Sequence, residues 1–530
     1  MVVSRHGIVA TEHPLASQAG AMVLAQGGHA VDAAVAANAV MGVVCPMMCG
    51  IGGDLFAIVW EKDGSPQGLN ASGWAPAGLT PQFLKSRQVD GMPQSGMHSI
   101  TVPGAVAGWS ALLERFGRKS LADVLAAAIA LADEGFPVAE ITAAEWANCE
   151  ALLRDDPGAA NTFLPEGRAV GLGEIFVNRD LAHSYRQIAE HGRDGFYTGE
   201  VARRLLACMQ PRGGTMTDTD LSEFNAEWVP LISTTYRGWD VFEIPPNGAG
   251  IAALMMLNIL EQFPLGDYSH NSTDALHTMI EAKKLAYADM QRYVADPRFA
   301  GVPIEAMLTK DFARQRARLL DTSTAGDSVS PGELPVHAGD TVYLSVVDGD
   351  GHMVSFIQSN FALFGSGVVA DGTGFPLQNR GALFTLNPAH PNVLGPRKRP
   401  LHTIIPAFMQ KDDARIAFGI MGGWNQSQAH AQFVSNVVDH KMNIQAALEA
   451  ARFTKLTFEG RDVSVERRIP KAVRAGLAAK GHQIDVQGDF STMMGGGQAV
   501  MRNLATGVNY GASDPRKDGS AIPEFKIQKL

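Results

Sequence analysis

Cysteine is scarce in this chain: Cys45, Cys49, Cys149 and Cys208 are the only four among 530 residues. Four thiols are too few to staple a fold of this size, and no second closely spaced pair completes a zinc site, so buried reduced thiols are expected. Long apolar runs are missing too, which argues against a membrane-spanning helix. There is no excess of basic residues. The net charge is −10 and the pI near 5.8, unlike proteins that bind nucleic acid or lie on a membrane surface. Residues 1–10 lack a basic stretch followed by an apolar one, so no secretory signal is read and a cytoplasmic location is expected. None of the 15 histidines falls in an HExxH-like spacing. Neither a metal nor a cofactor is therefore expected.

Apolar side chains make up 46% of the chain, enough to bury a large core, and 56 glycines supply frequent turns. The first half reads mostly as helix. Residues 14–26 are small and apolar and stop at Gly27 and Gly28, and the alanine-rich run 30–44 follows. Ser120 and Asp123 form a capping-box pattern ahead of the apolar run 121–131, which Gly135 and Pro137 close. Two more helices are expected over 252–263 and 272–293.

Residues 321–340 (DTSTAGDSVSPGELPVHAGD) break this pattern: they are polar, lack periodicity and read as a loop. Strand character begins directly after it. Residues 341–347 and 353–358 are β-branched and aromatic-rich, and Asp348-Gly349-Asp350-Gly351 turns one into the other. The same DGDG resembles the start of a calcium loop, but the closing glutamate of an EF-hand is missing, so a hairpin turn is the reading. A second hairpin is expected from 404–410 and 414–421, after which Gly422 and Gly423 lead into a helix over 424–438.

A strand that starts with threonine behind an accessible loop has a chemical use. A threonine hydroxyl is a poor nucleophile at neutral pH and needs a base beside it. If Thr341 is the first residue of a chain, its own α-amine, with a pKa of roughly 7.7–8.0, can take the proton. That requires cleavage between Asp340 and Thr341. An acyl-transfer transition state also needs donors for its oxyanion, and Gly422-Gly423, between a strand and a helix, can present two backbone N–H groups. Taken singly, each feature is a weak signal, more often an ordinary strand start or turn.

Several segments in order resemble the γ-glutamyltransferase-like family of N-terminal-nucleophile hydrolases: GIVATEHPLASQAGAMVLAQGGHAVDAAVAAN (7–38), YRGWDVFEIPPNGAG (236–250), EAKKLAYADMQRYVADPRF (281–299), DTVYLSVVDGDG (340–351), FGSGVV (364–369), GPRKRPLHTIIP (395–406) and YGASDPR (510–516). The resemblance covers nearly the whole chain. It implies a four-layer αββα sandwich, with residues 1–340 as the large and 341–530 as the small portion of one integrated precursor. It implies Thr341 as nucleophile, Ser359 as the hydroxyl that hydrogen-bonds it, Gly422 and Gly423 as the oxyanion hole, and self-cleavage between Asp340 and Thr341. The implied partners are a small-molecule amide and the two chains of one precursor, with room for a dimer of such heterodimers; neither nucleic acid nor membrane is implied.

The substrate-binding positions depart from the family pattern. Ser72 stands where the family keeps a carboxylate-clamping arginine, His402-Thr403 where it keeps two serines, and Arg380 and Leu383 where it keeps a glutamine and an aspartate. Phe361 replaces an asparagine. Without that aspartate an α-amine loses its charge-assisted partner, so weak glutathione activity is expected. LQNRG, with Asn379 and Arg380, and HTIIP resemble the acylase and oxamate-amidohydrolase branch instead. Arg380 can reach a carboxylate on a small acidic amide, or pair structurally with a nearby acid. His402 can touch substrate or serve as a satisfied wall residue. The leading reading is a self-processing amidohydrolase acting through a threonine acyl-enzyme. The alternatives are a γ-glutamyltransferase or glutathione hydrolase, and a non-catalytic binding protein on the same fold.

Overall fold

Two seven-stranded antiparallel sheets lie face to face in the computed structural model, which describes residues 1–329 and 340–525. The side chains of Asp340 and Thr341 lie outside that description. Four strands matter most for the site: β1 (Asp54–Trp60), β2 (Asp340–Val347), β3 (Met353–Phe361) and β4 (Ala414–Ile420). The first sheet runs from edge to edge through Ser520–Pro523, Ile8–Thr11, β2, β3, β1, Gln67–Ala71 and Glu227–Val229. The second runs through Val2–Ser4, Asn509–Ser513, Gly497–Asn503, β4, Ala407–Lys411, Trp239–Glu243 and Ile232–Tyr236. Both sheets combine strands from either side of residue 340. Ile8–Thr11, for instance, is hydrogen-bonded on one side to β2 and on the other to Ser520–Pro523.

Alternate residues of facing strands, among them Phe56, Ile58, Tyr343, Ile357, Phe408 and Ala417, fill the space between the sheets. Each large side chain buried this way contributes about 1.5–3 kcal/mol. Gly419 of β4 lies against the ring of Tyr343, and a Cβ there would run into that ring. The glycine lets the sheets close and sets the first residues of β2 near the end of β4.

Helices cover both outer faces. α1 (Ala30–Val44) is buried along its whole length over the first sheet, which explains why it is apolar all round. His29 and Asp32 close a capping box at its head. α2 (Thr273–Tyr293), α3 (Gln426–Val438) and Gly250–Leu260 cover the second sheet. The architecture is therefore the expected four-layer αββα sandwich.

Most expected elements are present: Pro14–Ala25, α1, Leu121–Glu134 with its Ser120–Asp123 capping box, Gly250–Leu260, α2 and both hairpins. The helical reading of the first half needs correction, because Asp54–Trp60, Gln67–Ala71 and Trp239–Glu243 are strands. β1 is buried at every position, so it shows none of the alternation that marks a half-exposed strand. The four cysteines are free thiols, three of them buried. No helix among the described residues is long and apolar enough to cross a membrane. Of the expected loop 321–340, residues 321–329 carry neither helix nor strand, and 330–339 lie outside the described residues.

Candidate active site

The start of β2 meets β3 at an irregularity. Asp340 pairs with Phe361 and Val342 with Gln358, so residue 341 alone stands opposite Ser359 and Asn360. Such a bulge breaks the ladder locally and re-aims the residues around it. Ser359 follows Ile357 by two on the face that looks into the gap between the sheets, and its hydroxyl accepts the N–H of Phe361 at 2.7 Å. Phe361 holds a φ of 78°, a left-handed backbone rarely adopted by a bulky residue. On the other side of β3, Ser359 pairs with Asp54 at the head of β1.

Asp54 is the hub of a fully buried polar group. Its Oδ1 accepts the N–H of Gly73 at 2.7 Å and the side-chain amide of Gln378 at 2.8 Å. Its Oδ2 lies 2.7 Å from His402 Nε2 and 3.8 Å from Arg380 Nε. Burial first, then the Arg380 charge, lower the His402 pKa to about 4. The ring is therefore neutral at pH 7, with the Nε2 proton donated to Asp54. The same ring lies against Phe56, with centroids 4.8 Å apart.

Arg380 opens the short 3-10 turn Arg380–Leu383, and its side chain is entirely buried. Its guanidinium carbon sits 4.5 Å from the centre of the Phe361 ring, and Nη1 donates to Thr403 Oγ1 at 2.7 Å. Nε and Nη2 have no hydrogen-bond partner. Burial pulls its pKa down to about 9, with Asp54 opposing the shift, so the group is still charged at neutral pH. A buried cation with open donors is costly unless something else meets it. A ligand carboxylate has the matching charge and forked geometry.

Other predicted residues are already engaged. Asn379 spends its amide on the Gln94 carbonyl (2.6 Å) and the Ala362 N–H (3.0 Å), which pins the end of β3 to the segment before residue 97. The Ser72 hydroxyl donates to Asn70 Oδ1 at 2.7 Å and accepts from Asn247 Nδ2 at 3.2 Å. The polar atoms of both are thus engaged within the fold, whereas Arg380 keeps two nitrogens without a hydrogen bond. Gly422 and Gly423 adopt φ of 121° and 55° between β4 and the turn Gly423–Asn425 that leads into α3. Gln426, at the head of α3, accepts the N–H of Ile405, two residues from Thr403. The glycine turn and Arg380 thus flank one segment, residues 402–405.

Sequence reasoning missed Asp54 and Glu12. Glu12 is buried, and its Oε1 accepts the N–H of Tyr343 at 2.9 Å, two residues past the bulge. Both are lone acids in apolar surroundings, ATEHPLA and GIGGDLFAIVW, and that isolation was the available signal. Two groups of potential metal ligands lie elsewhere among the described residues: His29, Asp348 and His352, and His277, Glu281 and His482. In the first, Asp348 caps the DGDG turn through the N–H groups of Gly351 and His352. In the second, Glu281 is already paired with Lys284 at 2.7 Å.

The family model described as Gamma-glutamyltranspeptidase matches residues 16–524. The Glutathione hydrolase-like YwrD proenzyme of Bacillus subtilis is 37% identical, over 98% of this chain and 99% of its own length. The Oxamate amidohydrolase proenzyme of Klebsiella pneumoniae is 34% identical, over 98% of each. Among solved structures, cephalosporin acylase from Bacillus halodurans superposes with a TM-score of 0.92 at 42% identity, covering 98% of this chain and 96% of that one.

Proposed function

The chain belongs to the γ-glutamyltranspeptidase family of enzymes, and from that premise we propose a self-processing amidohydrolase whose substrate carries a carboxylate on its acyl side. The observation that carries this reading is Arg380, buried, charged and with two nitrogens that make no hydrogen bond, stacked on the residue that pairs with Asp340.

In the precursor the Thr341 hydroxyl attacks the Asp340 carbonyl carbon. The acyl group moves from nitrogen to oxygen, and water opens the resulting ester to free the Asp340 carboxylate and the Thr341 α-amine. In turnover that amine takes the hydroxyl proton as Oγ1 attacks the substrate carbonyl. The oxyanion rests on the N–H groups of Gly422 and Gly423, a contribution of about 2.7–4 kcal/mol per donor. The leaving amine departs with the proton held by the α-amine, and water, deprotonated by the same amine, releases the acid. Ser359 steadies the nucleophile. Arg380 holds the acyl carboxylate, with Thr403 and Phe361 fixing its plane. No cofactor takes part.

Asp54 already accepts three hydrogen bonds besides its contact with Arg380, which leaves it poorly placed to receive a substrate ammonium. This favours acids without an α-amino group, from oxamate, the substrate in the Klebsiella relative's name, to longer half-amides such as glutaryl anilide. γ-Glutamyl transfer is the second reading, favoured by the names of the glutathione hydrolases in the family.

The test is intact mass of wild type beside Thr341→Ala, followed by hydrolysis of oxamate, glutaryl p-nitroanilide and γ-glutamyl p-nitroanilide. Fragments meeting at 340/341 in wild type alone, with the desamino substrates preferred, support the proposal. A preference for the γ-glutamyl anilide moves the second reading forward. A chain that is never cut and hydrolyses none of the three returns the non-catalytic reading.

A further inference from the structure

Gly422 and Gly423 hold φ of 121° and 55°, but glycine tolerates most backbone angles and does not itself choose these. Contacts outside the pair must set the direction of their N–H groups. Upstream, the Met421 N–H donates to the Gly496 carbonyl at 3.0 Å, and a Cβ on Gly495 would run into the Met421 carbonyl oxygen. Within the turn, the Asn425 N–H donates to the Gly422 carbonyl at 2.9 Å, and Asn425 Nδ2 donates to the Met494 carbonyl at 2.8 Å.

Downstream the hold comes from another helix. The turn Gly423–Asn425 is 3-10, and α3 starts at Gln426. In a regular α-helix the Gln428 N–H would bond the Trp424 carbonyl, four residues back. Here the Tyr287 hydroxyl of α2 stands between them. It donates to the Trp424 carbonyl at 2.5 Å and accepts the Gln428 N–H at 3.3 Å. A side chain inserted into the ladder in this way bends the start of a helix. Gln428 Nε2 gives the same carbonyl a second donor at 3.2 Å. Tyr287 is buried, and burial pushes its phenol pKa up, so the hydroxyl keeps its proton. The Phe458 ring braces both partners, with its centroid 5.9 Å from that of Tyr287 and 5.1 Å, edge-on, from that of Trp424. A buried tyrosine hydroxyl needs some acceptor. This one takes the carbonyl of the residue that follows Gly423.

We infer that Tyr287 is a positioning residue for the oxyanion hole: its inserted hydroxyl keeps the first turn of α3 from closing and so fixes where the Gly422 and Gly423 N–H groups point. The inference rests on the oxyanion role proposed above for those glycines. Without the hydroxyl, the Trp424 carbonyl and the Gln428 N–H can bond each other, which draws Trp424 towards α3 and turns the backbone at Gly423. Misaimed donors are felt mainly in the transition state, where the oxygen carries its charge. Substrate binding rests on Arg380, which Thr403 and Phe361 hold instead.

The experiment compares wild type, Tyr287→Phe, Phe458→Leu and Gly422→Ala on whichever of glutaryl p-nitroanilide, oxamate and γ-glutamyl p-nitroanilide wild type hydrolyses fastest. Inhibition by 4-boronobutanoate is set against inhibition by glutarate. The boron takes the Thr341 oxygen and becomes a tetrahedral anion, the hydroxyl proton passing to the α-amine; glutarate makes no such adduct. In Tyr287→Phe, kcat is expected to fall about ten- to thirtyfold with KM within about twofold. The boronate should bind more weakly by a similar factor, and glutarate as it does to wild type. If Tyr287→Phe does not fold, Phe458→Leu decides: the hydroxyl stays but loses its brace, and the same pattern is expected at about threefold. An unchanged kcat in the deciding variant, with Gly422→Ala slowed, overturns this inference alone. Equal weakening of both inhibitors overturns it as well, because that is general loss of the site. If Gly422→Ala turns over normally, or wild type hydrolyses none of the substrates, the oxyanion reading falls and this inference with it.

Discussion

His402 Nε2 lies 2.7 Å from Asp54 Oδ2, joining residues 348 apart in sequence beside the first residues of β2. The same carboxylate faces Arg380, whose Nη1 is bonded to Thr403. Positions where the sequence departs from the γ-glutamyl pattern, Phe361, Arg380, His402 and Thr403, therefore form one physical unit.

Arg380→Met is expected to leave the fold intact, because Asp54 keeps three other donors. Hydrogen bonds to a charged group contribute about 1.5–3 kcal/mol, so kcat/KM for an acidic amide should fall about 10- to 100-fold. Most of the loss should appear in KM. Steady-state kinetics on glutaryl p-nitroanilide against an uncharged acyl anilide checks this: an equal loss on both substrates counts against a carboxylate clamp.

Gly422→Ala places a Cβ on a backbone at φ 121°, a region L residues rarely adopt. The turn must rearrange, and a misdirected oxyanion donor costs about 2.7–4 kcal/mol of transition-state stabilisation. Both self-cleavage and turnover should slow by about 10²- to 10³-fold while circular dichroism is unchanged. Near-normal turnover would remove this turn from the mechanism.

Acid should destabilise the protein before ordinary carboxylates titrate. The folded-state pKa of His402 is depressed to about 4 from its ordinary value of 6.5. Between these values the unfolded chain binds a proton that the folded one refuses, so stability present above pH 6.5 is lost as pH falls towards 4. The slope attributable to this one residue is at most about 1.4 kcal/mol per pH unit. Denaturant melts from pH 7 to 4 should show a shallower fall in His402→Asn than in wild type; parallel curves would assign the acid sensitivity to other groups.

Gly419→Ala tests the join between the sheets. The new methyl meets the Tyr343 ring, and overpacking of this kind costs about 1–3 kcal/mol. Because Tyr343 lies two residues past Thr341, self-cleavage should slow along with the loss of stability. Cleavage at the wild-type rate in a destabilised variant would separate the packing from the chemistry.

The sequence made the helices and hairpins legible where their punctuation is local. The Ser120–Asp123 box, the DGDG turn and the Gly27-Gly28 stop each act within a few residues. It concealed β1, because a strand buried on both faces has no alternation to read. Arg380, His402 and Thr403 could be picked out by comparison with a family pattern. The convergence of Arg380 and His402 on Asp54 could not, since it depends on β1 and β3 lying side by side and on residue 402 crossing from the other half of the chain. The same comparison points to Asn379 and Ser72 as binding residues. Only their partners, Gln94 and Asn247, show that their polar atoms are already committed.

Ile8–Thr11, from the front of the chain, lies between β2 and Ser520–Pro523, both from beyond residue 340. A cut at 340/341 turns that interleaving into a one-way process. Before the cut, the strands return to one another as parts of a single polymer. After it, any complete unfolding yields two molecules, which must find each other by diffusion and each expose unpaired strand edges while they search. The mature enzyme would then persist by how slowly its sheets open, and heat or denaturant would inactivate it irreversibly at concentrations where an uncleavable Thr341→Ala precursor still refolds.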